Sequence, residues 1–565
     1  MMKNISEFIS EKLDNLFGIQ KNVELNRPNN DFGDYSTNIA MQISGIVKKS
    51  PLEIAQIIVS ELKTLDYIEN ATVDGPGFIN ITVKPKFLEQ YLTSQWTDRY
   101  GSNDSGNGKI VVIDFPSPNM AKPYSVGHLR PGNQGWAAKR LMEETGWKVI
   151  TDNHLGDYGA PFGIWTAGFL RYSNEEKLNT EGVYELGRIY IKTKADLDAE
   201  KEQGKSELAN EVQNWLMKLE AGDIEARNFS HKFNQISLDH IHEIMSRLRI
   251  STDYELGEAF FASRGKEIVR ELVETGVASK NEDGSVIINL EDEGIETPML
   301  IQKSNGTALY ATTDIATLEY REHNWKPDRV IYCVGAEQQF HFNQLFAAAK
   351  KMGYNTEFIH LWFGIIDQLN EDGTREKMSS RKGVVLMNEL LDTAEARARG
   401  IIENRDVSEE DIKTIALGAI KFSDFMADRR TNILFNWDTI FALSGFSGPY
   451  VQYSAVRVNK ILNDNQINQI DTSNYEYKEE KDILLKLIDY PDVIALSARD
   501  LEPHKIATYL FELSKIMNRY YESTPVATGD VDEIQKEARL VVLQKVSHVF
   551  RHGLSMLGID IPKSM

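Results

Sequence analysis

A single cysteine, Cys333, among 565 residues leaves no partner for an intrachain disulfide and no thiol cluster to hold zinc. It lies in the apolar run Val330-Ile331-Tyr332-Cys333-Val334, where it reads as buried strand filler rather than a reactive thiol. Long apolar runs are missing too, and none approaches the ~20 residues that cross a membrane. The opening residues, MMKNISEFISEKLDNLFGI, mix charges into an amphipathic pattern without the apolar core of a secretory signal. A cytoplasmic chain with no membrane partner is expected. Positive charge is scarce: 63 Lys and Arg against 84 Asp and Glu give a net charge of −21. That balance favours an ordinary acidic enzyme, although binding depends on where the basic residues face rather than on their sum. A nucleic-acid partner must therefore be argued from motifs. No GxxxxGK[ST] occurs, which excludes a P-loop, and there is no internal repeat or low-complexity tail.

What the chain does have is organised around residues 111–135, VVIDFPSPNMAKPYSVGHLRPGNQG. Val111, Val112 and Ile113 read as a buried strand that ends in the breaker-rich loop Phe115-Pro116-Ser117-Pro118-Asn119. Ser125-Val126-Gly127-His128 then leads toward a helix over residues 136–142, and Pro131 fits only inside its first turn. Strand, loop, small residue and helix N-terminus together leave backbone N–H groups free to face a phosphate beside Gly127 and His128. Far downstream, Lys377-Met378-Ser379-Ser380-Arg381-Lys382-Gly383 follows the polar turn Asn370-Glu371-Asp372-Gly373 and reads as a basic loop. Its lysines suit a polyphosphate leaving group.

Residues 1–105 read as a separate α+β unit, with helices over 5–17 and 51–65, the second opened by Ser50 as N-cap and Pro51 in its first turn. Strands over 71–73 and 78–83 flank the turn Asp74-Gly75-Pro76-Gly77, and the Gly/Ser/Asn/Asp cluster over 101–108 is a linker. From Lys109 strands and helices alternate, which implies a parallel sheet with helices on its faces. A strand over 149–152 is followed by a charged helical interval and a β-like piece over 285–290. The alternation resumes with a strand over 330–334, a helix over 342–352 and a strand over 358–363. Beyond about Glu395 the chain reads almost wholly helical, with Ile412, Ile415, Ala416, Ala419 and Ile420 at three- and four-residue spacing.

The two motifs together resemble the HIGH and KMSKS signatures of class I aminoacyl-tRNA synthetases. PNMAKPYSVGHLR with DNHLGDYGAPFG is similar to the arginyl-tRNA synthetases in particular. DFGDYSTN and GPGFIN resemble that family's amino-terminal domain, and FSGPYVQYSAVR the start of its anticodon-binding helices, so the likeness covers essentially the whole chain. It implies a multidomain α/β protein. Residues 1–105 would be an additional tRNA-binding α+β domain and 106–395 a Rossmann-like parallel-sheet catalytic core with a helical insertion at about 170–300. Residues 396–565 would be an α-helical anticodon-binding bundle. The implied reaction is that of an arginine–tRNA ligase: L-arginine and ATP give arginyl-adenylate and pyrophosphate, then the arginyl group passes to the 2′-hydroxyl of the terminal adenosine of tRNA(Arg). Mg²⁺ accompanies ATP, no protein-encoded metal site is expected, and the chain acts as a monomer.

The same resemblance implies roles for particular residues. His128, Lys122, Lys377 and Lys382 are the catalytic candidates. Pro118, Ser125, Gly127, His128, Gly335, Met378 and Ser379 are expected at ATP. Arginine is a planar cationic fork, best held by carboxylates with an aromatic neighbour, and the matching positions are Asp114, Asn119, His154, Tyr310, Asp314 and Gln338. Tyr310 and Asp314, four apart, share a helix face. Phe78, Asn80, Tyr450, Tyr453 and Arg457 are expected at tRNA. Two positions depart from the pattern. Ser125 stands for the first signature histidine and Ser380 for the second lysine, leaving Lys122 to supply the missing charge. Ser125 favours an alternative, a degenerate homologue that binds tRNA without charging it; the retained Lys122, His128, Lys377 and Asp314 speak against that. A small-molecule adenylating enzyme would suit the acidic composition, but not the long helical C-terminal region.

Overall fold

Val111, Val112 and Ile113 are fully buried in the strand Ile110–Asp114, as a central strand of a sheet covered on both faces requires. The computed structural model describes residues 1–28, 32–306, 309–369, 373–378, 385–402, 407–529 and 531–565. Four parallel strands form the main sheet in the order Glu357–His360, Arg329–Tyr332, Ile110–Asp114, Lys148–Asp152. The chain leaves Ile110–Asp114 toward Lys148–Asp152 on one side, while Arg329–Tyr332 pairs on the other. The connections thus diverge at the carboxyl ends of the two middle strands, the switch point where open α/β sheets place ligands. Cys333, at the end of Arg329–Tyr332, is buried, and burial pushes its thiol pKa far up. It is inert filler.

The two halves of the sheet are separated in sequence by helices Val183–Glu202, Glu207–Glu220, Ile224–Arg247 and Glu258–Glu274 and a three-stranded antiparallel sheet of Ser279–Lys280, Val286–Ile288 and Met299–Gln302. The expected insertion is therefore present, with strand pairing of its own. One expectation needs correcting. The strand expected over 358–363 ends at His360, where the His360 ring Nε2 pairs with the Val334 carbonyl at 3.0 Å and the ladder stops. Beyond Glu395 the chain is almost wholly helical, as expected, with one short exception: Ile433–Leu434 pairs in parallel with Ile366 and Asp367, on the strand Ile366–Leu369 that also pairs antiparallel with Arg375–Lys377. Asn432 makes that possible by accepting the Ile365 N–H on its Oδ1 at 3.1 Å.

By internal contacts the chain forms two compact units. One comprises Met1–Ser102, Ser454–Ile494 and Tyr509–His552; the other comprises Asn103–Tyr453, Ala495–Thr508 and Gly553–Met565. In the first, Tyr35–Thr37, Phe78–Val83 and Ile68–Asp74 form an antiparallel sheet, and Pro51–Leu62 starts from a capping box between Ser50 and Glu53. Arg27 ties this part to the later helices with a 2.8 Å ion pair to Asp489, its guanidinium 4.2 Å over the Tyr35 ring. The second unit holds the parallel sheet. Among the described residues no helix is long and apolar enough to cross a membrane.

Candidate active site

After Asp114 the chain loops through residues 115–125, makes the short turn Val126–His128 and enters the helix Leu129–Glu144, with Pro131 in its first turn. Gly135 lets that helix lie close to the strand end, because a Cβ there would sit 2.3 Å from Phe115 Cγ. At Gly127 a Cβ would meet only Ser125 Oγ at 3.4 Å, so the protein leaves that face open. Open backbone at a helix start suits a phosphate.

His128 is oriented by the residue that departs from the signature. The Ser125 N–H donates to His128 Nδ1 at 3.2 Å, and Ser125 Oγ lies 3.3 Å from the same nitrogen. With Nδ1 accepting, the neutral ring carries its proton on Nε2. Burial pushes the His128 pKa down to about 4, and the Lys122 charge acts in the same direction. At neutral pH His128 is thus an uncharged N–H donor. Lys122 itself is exposed, its ammonium 5.3 Å over the Tyr190 ring. Gly127, Gly335, Lys377 and Met378 line one cleft with residues 363–366. Four expected positions therefore meet at the switch point. Pro118 is buried and accepts the Gly156 N–H on its carbonyl at 3.3 Å. Ser379 and Lys382, like most of the basic stretch, lie outside the described residues.

A second group of side chains is acidic. Asp314, one turn after Tyr310 on the helix Tyr310–Asn324, accepts from His341 Nε2 at 2.6 Å and lies 4.0 Å from His154 Nε2. His154 Nδ1 donates to the Leu256 carbonyl at 2.9 Å, which leaves Nε2 as a buried atom without a hydrogen-bond partner. Burial works against a charge on His341, but the hydrogen bond and charge of Asp314 outweigh it and hold the pKa above its ordinary value. Burial, then the charges of Asp314 and Asp157, push the Glu258 pKa up to about 8. Burial raises Asp157 as well, although its carboxylate accepts the Ala259 N–H at 2.8 Å. With Asp314 and Asp157 both working against the ionisation of Glu258, the group is rich in carboxylates for the positive charge around it. A cation is the ligand that relieves it.

Asp157, Glu258 and His341 were not singled out from the sequence. Asp157 sits in a stretch whose family likeness was evident, but nothing in the spacing of the three said that they meet Asp314. Asp114 behaves differently from expectation. One oxygen accepts from Ser117 Oγ at 2.5 Å and the other from Arg321 Nη2 at 2.7 Å, and the same Nη2 reaches Asp152 at 2.8 Å. The carboxylate expected to hold a substrate arginine already holds an arginine of the chain. Asn119 and Gln338 are exposed, Gln338 lying past the carboxyl end of Arg329–Tyr332. Tyr310, one turn before Asp314 on the same helix, is 67% exposed.

Of the positions expected at RNA, Phe78 is exposed, whereas Asn80 is buried on the middle strand of its sheet, where its side chain meets protein. Tyr450 and Tyr453 are half-buried, and the Arg457 guanidinium stacks 4.6 Å over Tyr521. Asp428, Glu502 and His504 bring three potential ligand atoms within 4.8 Å of one another. Arg430 pairs with both of those carboxylates, so a cationic side chain already serves them.

Comparison with known proteins bears on the whole chain. Residues 90–437 match the family model described as tRNA synthetases class I (R), catalytic domain. Residues 451–565 match the DALR anticodon binding domain, and residues 3–83 the arginyl tRNA synthetase N terminal domain. The chain is 32% identical over 581 residues to the arginine–tRNA ligase of Fusobacterium nucleatum, covering 100% of this chain and 99% of that protein. It is 31% identical over 578 residues to that of Halothermothrix orenii, with the same coverage. Among solved structures, Thermus thermophilus arginyl-tRNA synthetase superposes with a TM-score of 0.81 at 23% identity, covering 100% of both chains. The Plasmodium falciparum enzyme gives 0.78 at 22%, covering 100% of this chain and 99% of that one. These two likenesses concern the fold.

Proposed function

The chain belongs to the arginyl-tRNA synthetase family, and from that premise we propose how its residues carry out the arginine–tRNA ligase reaction. The arginine carboxylate attacks the α-phosphorus of ATP, the bond to the β-phosphate oxygen breaks, and pyrophosphate leaves. The 2′-hydroxyl of the tRNA's terminal adenosine then attacks the adenylate carbonyl, and AMP leaves. Neither step needs a strong base as much as fixed donors aimed at phosphate oxygens.

His128 supplies one such donor. Its Nε2–H is set by the Ser125 N–H on Nδ1, and its low pKa keeps it neutral, so its hydrogen bond does not depend on protonation between pH 6 and 8. Backbone at Gly127 receives the nucleotide, with Gly335 and Met378 across the same cleft. Lys377, exposed at the end of Arg375–Lys377, and Lys122 bring positive charge to the phosphates, with Lys382 and Ser379 contributing from the rest of the basic stretch. Mg²⁺ bound with ATP would supply further charge neutralisation for the departing pyrophosphate. The chain's own carboxylates near Asp314 are better matched to the substrate side chain.

Asp314 and Tyr310, with Glu258 and Asp157, receive the guanidinium. A planar cation with several N–H donors satisfies a cluster of carboxylates in which Glu258 otherwise holds a proton. This acidic group, beside a phosphate-type helix start in one fold, is the observation that carries the choice of arginine. Asn119, His154 and Gln338 border the substrate from the strand ends. Ser125 alone favoured a silent homologue, and its contact with His128 now gives it an orienting role. For tRNA, Phe78 and the tyrosines near Arg457 offer aromatic surface to unpaired bases. The reading takes the chain as a monomeric, cytoplasmic protein. Arginine-dependent exchange of pyrophosphate into ATP, measured with and without tRNA, tests the reading. Exchange driven equally by lysine, or no exchange under either condition, would remove it.

A further inference from the structure

Arg130 follows the signature turn by two residues and is 2% exposed, its guanidinium carried into the interior. Its donors are spread over three chain segments. Nε donates to Asp424 Oδ1 at 2.8 Å, Nη1 to the carbonyls of Gly364 at 2.8 Å and Thr431 at 3.0 Å, and Nη2 to the Arg429 carbonyl at 2.9 Å. The Phe363 ring lies 5.8 Å from Cζ. A planar guanidinium can serve four acceptors pointing in different directions; a lysine ammonium on one atom cannot.

One of those acceptors, Gly364, lies in a wall of the nucleotide cleft, which Arg130 also lines. Gly364 precedes Ile365 and Ile366, which line the cleft. The Ile365 carbonyl accepts the Ile433 N–H at 3.0 Å, and the Ile366 carbonyl accepts the Met378 N–H at 2.9 Å. Lys377 is paired with Asp367 in the adjacent ladder. The opposite wall is the turn Val126–His128, which begins the segment carrying Arg130. A backbone tie joins the same turn to the chain beyond the basic stretch: the Val126 N–H donates to the Val385 carbonyl at 3.1 Å and the Met387 N–H to the Tyr124 carbonyl at 2.9 Å. Arg130 makes the corresponding tie on the side of Gly364.

We propose that Arg130 is a positioning residue that sets the separation of the two cleft walls, holding the Val126–His128 turn at its working distance from Gly364, Ile366 and, through Ile366, Lys377 and Met378. Its guanidinium donors are taken up by protein acceptors at the cleft's edge, so it acts through them. The inference rests on the cleft being the ATP site. Arg130→Lys keeps the charge but loses most of the carbonyl contacts, so the walls shift relative to each other. KM for ATP should rise about tenfold and kcat of adenylate formation fall roughly 10- to 100-fold, as misplacement by about 1 Å does. KM for arginine, set by the separate acidic group, should stay within about twofold.

A residue that only stabilises the fold would lower Tm while leaving both KM values unchanged, or move them together; either result in folded Arg130→Lys overturns the inference. If that variant does not fold, Asp424→Asn, which removes the ion pair and keeps the carbonyl contacts, decides by the same split with a smaller shift of about threefold. If the wild-type chain shows no arginine-dependent exchange, the functional reading fails by itself. ATP binding by calorimetry then tests Arg130: about tenfold weaker binding by the variant upholds its role, and equal binding refutes it.

Discussion

Replacing Asp314 by asparagine removes the charge at the centre of the acidic group while keeping its shape. A desolvated, hydrogen-bonded charge pair that loses one partner costs roughly 2–5 kcal/mol. Three features of the site argue for the lower half of that range. Glu258 and Asp157 remain beside the guanidinium, and the Glu258 pKa is raised partly by Asp314, so Glu258 ionises more readily once Asp314 is neutral. His341 loses the partner that holds its pKa up, which removes a competing positive charge. An effect of about 2–3 kcal/mol follows, or about a 30- to 150-fold loss in kcat/KM for arginine. Pyrophosphate exchange at varied arginine and fixed ATP measures it, and KM for ATP should barely move. The inflection in arginine KM should also shift to lower pH, because Glu258 titrates earlier in the variant. An arginine kcat/KM within threefold of wild type, or an equal change in the ATP constant, would refute the assignment.

In the wild-type protein, arginine KM should fall as pH rises through about 8, where Glu258 ionises, and Glu258→Gln should flatten that profile. Because its folded pKa lies above the free value of 4.5, the folded chain holds a proton that the unfolded chain releases. Ligand-free stability is therefore fully present below the ordinary carboxylate range and is lost as pH rises toward about 8; denaturant midpoints at acidic and alkaline pH check the sign, and saturating arginine should offset the loss. Lys122→Ala should slow single-turnover adenylate formation by roughly 100- to 1000-fold, the cost of one donor to a developing phosphate charge; a loss no larger than that of an unrelated surface lysine contradicts it. Arg321→Met leaves Asp114 and Asp152 buried without their cation and should cost about 3–5 kcal/mol in urea unfolding; a change below about 1 kcal/mol would mean the pair is replaceable.

Much of this was legible in the chain itself. The run at Val111, the breakers after Asp114 and the forced position of Pro131 defined a strand, a loop and a helix start, because hydrophobic period and proline geometry are local properties. Ser50 with Pro51 defined another helix start for the same reason. Long-range convergence was not legible. Nothing in the spacing of Asp157, Glu258 and Asp314 says that three carboxylates from separate segments meet, or that Asp114 is claimed by Arg321 far along the chain. Alternation on Phe78–Val83 did not reveal that Asn80 faces protein, since burial there depends on the strands paired on both sides. The short strand Ile433–Leu434 was hidden because its partner edge, at Ile366, is supplied by a distant segment. Ser125 looked like a loss when read as a missing imidazole; its backbone contact with His128 became visible only in three dimensions.

Transfer of radiolabelled arginine to an arginine-accepting tRNA transcript, with AMP measured in parallel, tests the central claim most directly. The account predicts one AMP formed for each arginyl-tRNA, dependence on the 2′-hydroxyl of the terminal adenosine, and loss of transfer on Asp314→Asn or Lys122→Ala in line with their loss of activation. Arginyl-tRNA formed at the wild-type rate by both variants, or a wild-type chain that binds the tRNA and never charges it, would contradict it.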